Sequence, residues 1–178
     1  MKKYYIIFFI AMFAFISCKS EKSDRQSGKS IETRPINGNI GLRDVNGNEL
    51  TLEQFKGKVI LLNFWTSWVV STPAELNLLK KIADSVKQSE FKIVSVSLDD
   101  PYSDGFKKFI STLDVNYEIY VSPTSSNNTE IIKSFPEIKD KIPCYYVLDK
   151  KMAIKKYGKD LGDSGELIKI INECLNEK

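Results

Sequence analysis

Few side chains in this 178-residue sequence are equipped for chemistry at neutral pH. There is no histidine, which removes the usual general base, the His-containing nucleophile triads and the commonest metal ligand. Three cysteines remain, Cys18, Cys144 and Cys174, and none is spaced from another as a CxxC pair or a metal knuckle would be. No cofactor and no metal site is therefore expected. The most informative local pattern runs from Trp65 through Thr66, Ser67, Trp68, Val69, Val70 and Ser71 into Thr72-Pro73-Ala74-Glu75. Those last four residues have the spacing of a capping box, with proline at the first helical position, where its missing amide hydrogen costs nothing. A regular helix is expected to start at Pro73, with Glu75 as its cap.

The first cysteine has a different role. Met1-Lys2-Lys3 is a short positive region, and Tyr4 to Ile16 is an almost unbroken apolar run of 13 residues, the length of a signal-peptide core. A membrane-spanning helix needs about 20 apolar residues. The run ends in Phe15-Ile16-Ser17-Cys18, which resembles a bacterial lipobox, with Cys18 as the lipidated residue of the mature chain. Residues 1–17 are thus expected to be a lipoprotein signal peptide. Residues 18–37 are polar and charged, too poor in apolar side chains to offset their ordering entropy, and are expected to be a flexible tether. Residues 38–178 form the expected domain. Lys2 and Lys3 fall in the signal segment, so 24 of the 26 basic residues face 23 acidic ones, a balance that offers no field for nucleic acid.

The elements that must position the Trp65 to Glu75 segment are legible as runs and periods. Leu42 to Leu52 reads as a hairpin, with Asn46-Gly47 supplying the positive φ angles of a tight turn. Thr51-Leu52-Glu53-Gln54 has capping-box spacing for a short helical turn ending at Gly57. Val59 to Trp65 is continuously apolar, as a strand covered on both faces would be. Leu76, Leu79, Ile82, Ala83 and Val86 recur at helical spacing, and Phe91 to Leu98 is a second buried strand, parallel to the first because a helix makes the crossover. A helix follows from Ser103 to Leu113, then an extended piece from Tyr117 to Val121 and a short helix near Glu130 to Phe135. Strands Cys144 to Leu148 and Met152 to Tyr157 flank a turn at Lys150-Lys151. A last helix from Ser164 carries Leu167, Ile170, Ile171, Cys174 and Leu175 on one stripe. Tyr145 and Tyr146 alternate on their strand, so one is expected in the core and one exposed.

This order, with Gly57 to Trp65 running into Trp68 and with Ile142-Pro143 before the strand ending Val147-Leu148-Asp149, resembles the TlpA-type branch of thioredoxin-like proteins and their redoxin relatives. The resemblance covers roughly residues 38 to 178. It implies an α/β thioredoxin-like fold, a central mixed sheet flanked by helices, with an N-terminal hairpin. It implies a cis Pro143 whose neighbouring backbone pairs with an extended substrate segment. It also places the redox dithiol at Val69 and Thr72. A helix N-terminus can activate a thiolate there, but valine has no ionisable group and a threonine hydroxyl cannot replace a thiol. Dithiol exchange then has neither an attacking nor a resolving sulfur. The peroxiredoxin pattern fails too, because Thr66 is followed at the required spacing by Val69. Glu75 matches an acidic position that many TlpA-type proteins carry and that can assist proton transfer.

The expected function is non-catalytic binding of a protein or peptide at the cell envelope through Trp68, Val69, Val70, Ile142 and Pro143. An alternative is a monothiol redox protein using Cys144, and a third possibility is a structural module whose valines pack inside the monomer. Cys144 and Cys174 are expected to lie too far apart for a disulfide. The membrane partner is reached through lipid on Cys18, facing the periplasm or the cell surface; Lys19, in place of an inner-membrane-retaining aspartate, favours the outer membrane.

Overall fold

The computed structural model describes residues 34–123 and 128–177; Cys18, the signal segment and most of the tether lie outside them. Strands β1 (Gly41–Asp44) and β2 (Glu49–Thr51) form the hairpin. Gly47 alone in its loop has positive φ, at 93°. Its amide bonds the Asp44 carbonyl, while the Asp44 carboxylate accepts from the amides of Asn46 and Asn48. The expected positive φ at Asn46 is therefore not needed. A three-residue loop closed by a left-handed glycine replaces the two-residue turn. The short turn Leu52–Phe55 forms, but Thr51 makes no side-chain cap, so the capping-box pattern there is fortuitous.

Four further strands build the centre: β3 (Val59–Trp65), β4 (Phe91–Ser97), β5 (Ile119–Val121) and β6 (Cys144–Leu148). With β7 (Ile154–Gly158) the sheet order is β2-β1-β5-β4-β3-β6-β7. β3, β4 and β5 are parallel, and β6 runs antiparallel to β3. Helices α1 (Thr72–Ser85), α2 (Asp104–Ser111), α3 (Asn128–Ser134) and α4 (Ser164–Asn176) complete the two layers. Every residue of β3 is buried. Its odd positions Val59, Leu61 and Trp65 face a core built with α1, α2 and α4, and its even positions face a second core with Phe135, Ile138 and Tyr146.

Tyr145 and Tyr146 are both buried, against the expectation that one would be exposed. β6 lies between β3 and β7 with packing on both faces, so the two-residue period sorts the tyrosines between cores and not between core and water. Cys144 and Cys174 are free and lie in opposite cores. Residues 34–36 are already tied to the domain. Pro35 bridges Ala153, the Ile36 amide donates to the Met152 carbonyl and the Ile154 amide to that of Arg34. Residues 34–36 thus pair with the domain although composition places them in the expected tether. Among the described residues no helix is long and apolar enough to cross a membrane.

Candidate functional site

The Trp65 to Glu75 segment leaves the sheet at its centre. Trp65 is fully buried, donates from Nε1 to Ser95 Oγ at 2.9 Å and packs on Phe106 and Phe109. The next residues form consecutive turns, with the Val69 amide on the Thr66 carbonyl and the Thr72 amide on the Val69 carbonyl. Regular helix begins at Thr72, one residue before the expected Pro73, and Pro73 falls in the first turn, where no amide hydrogen is required. Val69, expected from the resemblance at the first cysteine position, therefore precedes the helix.

The expected capping box at Thr72 and Glu75 does not form. Ser71 occupies the cap position without a side-chain bond. The Thr72 hydroxyl is buried and donates to the Thr66 carbonyl at 2.8 Å, stitching the loop to its own start. Glu75 turns inward and is only 7% exposed. Burial pushes its carboxyl up to about 7; a hydrogen bond from the Leu161 backbone opposes the shift and Asp160 adds to it. Its Oε2 has no hydrogen-bond partner among the described residues. A local four-residue pattern could not register Leu161, which approaches from the far end of the chain.

A second anchor was not read from the sequence. Asp99, just beyond β4, accepts from the Ser67 amide at 2.7 Å, from Ser67 Oγ at 2.9 Å and from Ser97 Oγ at 2.7 Å. This carboxylate fixes the start of the loop, and charge-assisted bonds of this kind are about twice as strong as neutral ones. The available signal was Ser97 and Asp99 following a strand that ends level with Trp65.

Of the expected binding residues, Trp68 is 75% and Val70 97% exposed. Val69 and Ile142 are half-buried and Pro143 is buried. The Ile142–Pro143 peptide bond is cis, and pairing of Phe64 with Cys144 sets it at the same sheet end as the loop. Trp68 and Val70 are thus not absorbed by the monomer, as a purely structural module would require, while Val69 partly is. Two clefts, of about 460 and 650 Å³, lie at the opposite end of the sheet, beside Val86 and Val115 and beside the hairpin turn.

The remaining thiol is poorly placed for reaction. Cys144 is 2% exposed, and burial first, then Glu137, pushes its pKa up to about 12, with a smaller upward push from Glu75. A reactive cysteine needs the reverse, an exposed position and a lowered pKa. Behind it, Asn63 is buried on β3, donates Nδ2 to the Cys144 carbonyl at 3.3 Å and leaves Oδ1 without a partner among the described residues.

A mixed sheet with this strand order, a helix following the central strand and a cis-proline at the start of β6 define a thioredoxin-like α/β protein. The profile of the AhpC/TSA family matches residues 37–157, and the chain belongs to that family. It is 25% identical over 112 residues to the thiol-disulfide oxidoreductase ResA of Bacillus thuringiensis, covering 63% of this chain and 61% of the relative. It is also 25% identical over 120 residues to the thioredoxin-like protein YneN of Bacillus subtilis, covering 65% of each. The match thus spans under two thirds of either relative. Among solved structures, the thioredoxin domain of a thiol-disulfide oxidoreductase from Bacteroides vulgatus superimposes with a TM-score of 0.68 at 22% identity, covering 83% of this chain and all of that domain.

Proposed function

We propose that this chain is a TlpA-type, lipid-anchored protein of the bacterial cell envelope that binds an extended protein segment at the face where its relatives' fold would carry a dithiol, and performs no dithiol exchange there. The observation that carries this reading is the outward display of Trp68 and Val70 on a loop that contains no sulfur. Exposed Trp and Val beside a cis-proline strand suit an apolar segment that also pairs through its backbone. Val69 and Thr72 offer no nucleophile at the positions matching the family's cysteines. A one-cysteine centre at Cys144 is opposed by its burial and raised pKa.

Purification of the full chain from membranes, with and without Val69→Asp and Val70→Asp together, tests the reading. A partner recovered with the wild type is expected to be lost from the double variant while the variant keeps its fold by circular dichroism. Undiminished recovery by the folded double variant counts against the loop as the binding face.

A further inference from the structure

The connection from β7 to α4, residues 159–163, lies at the sheet end that carries the Trp68 loop, because Gly158 at the end of β7 pairs with Tyr145 near the start of β6. Lys159, Asp160, Gly162 and Asp163 are exposed. Leu161 is the exception, only 2% exposed in the core that α1 and α4 share. Behind it Gly162 turns the chain with φ 51°. A single buried side chain therefore supplies the apolar anchoring of this connection, and such a segment opens locally at lower cost than the sheet it adjoins.

The other attachment is polar. The Leu161 amide donates to the carboxyl of Glu75 in the first turn of α1. That carboxyl is buried, and its Oε2 has no hydrogen-bond partner among the described residues. The titratable groups around it are Cys144 and Tyr145 on β6 and Asp160 on the connection itself. Burial pushes the thiol and the phenol up to about 12, so both are neutral and neither offsets a negative charge. Asp160 adds a like charge, and no lysine or arginine compensates among the described residues. An ionised Glu75 in the closed arrangement is thus desolvated, half-satisfied and repelled by the segment it holds. The protonated form avoids the desolvation and the repulsion.

We propose that Glu75 and Leu161 form a pH-operated latch: protonated Glu75 keeps the 159–163 connection seated against α1, and ionisation of Glu75 releases it, moving Asp160 away and admitting water to the carboxylate. Release bares the apolar seat of Leu161 beside the first turn of α1, at the sheet end that carries the Trp68 loop. The latch does not depend on what binds there. The closed state holds its proton more tightly than the open one, so opening grows as pH rises from about 4.5 to about 7 and then levels off.

Hydrogen exchange of the full chain in non-ionic detergent, resolved to single amides and corrected for intrinsic rate at each pH, tests the latch. The Leu161 amide is expected to exchange faster than the amides of β3 and to be insensitive to low urea, as a local opening requires. Its protection is expected to fall at least about tenfold between pH 5 and pH 8. In Glu75→Gln, which keeps an oxygen for the amide and cannot ionise, the corrected protection is expected to stay level across that range. Leu161 protection equal to that of β3 at every pH would overturn the latch, since the titration would then act only on the whole domain. A fall of the same size in Glu75→Gln would overturn it as well, by assigning the titration to another group.

Discussion

Replacing Glu75 with glutamine isolates a buried carboxyl that the fold holds against its ordinary chemistry. Burial raises its pKa from 4.5 to about 7, so the folded state binds a proton more tightly than the unfolded chain does. Between about pH 4.5 and pH 7 the folded protein carries more protons at this site, and stability falls as pH rises through that window and then levels off. Linkage caps the loss at about 3 kcal/mol. Glutamine keeps an oxygen for the Leu161 amide and cannot ionise. At pH 5 the variant is expected to be equal to the wild type or about 1 kcal/mol less stable, since its amide replaces an atom that lacks a partner. At pH 8 it is expected to be more stable by about 1 to 3 kcal/mol. The absence of histidine clears the interval from pH 5 to 8 of the usual competing titration. Urea unfolding of both full chains at pH 5, 6, 7 and 8 reads the difference directly. Parallel stability profiles across that range would refute the buried-carboxyl argument.

Three further outcomes follow from the same geometry. Cys144, with its thiol pushed up to about 12, is expected to resist iodoacetamide at pH 7.4 in the native protein and to react within minutes in urea, as read by mass spectrometry; rapid native labelling would revive the one-cysteine alternative. A Cβ added at Gly158 would sit 2.7 to 2.9 Å from ring atoms of Tyr145, so Gly158→Ala is expected to cost about 1 to 3 kcal/mol through displacement of that ring or of the β6–β7 pairing; an unchanged urea midpoint would show that the ring moves freely. Introducing cysteines together at Val69 and Thr72 is expected to yield an insulin reductase on the order of a hundredfold slower than a thioredoxin, because position 69 precedes a helix that starts at Thr72; full thioredoxin-like rates would show that the loop can still activate a thiol.

The strands of this fold are plain in the sequence because burial on both faces leaves long apolar runs, Val59 to Trp65 being the clearest. The delayed helix start was legible for a related reason, since Pro73 cannot sit in a helix interior. What local patterns could not supply was contact between distant segments. Thr72 and Glu75 fit a capping box by spacing, yet the Thr66 carbonyl claims the threonine hydroxyl and the Leu161 segment covers the glutamate. Asp99 reads as an ordinary loop acid until the parallel register of β3 and β4 sets it beside Ser67. The tyrosines of β6 show the same limit, since alternation gives the side of the sheet a residue faces and says nothing about whether that side is covered.

The central claim is that the loop from Thr66 to Ser71 binds without reacting. Reduction of insulin disulfides by the purified full chain, with dithiothreitol as electron donor, tests it most directly. The account predicts a rate equal to that of dithiothreitol alone. Turnover at a rate typical of thioredoxins would contradict it.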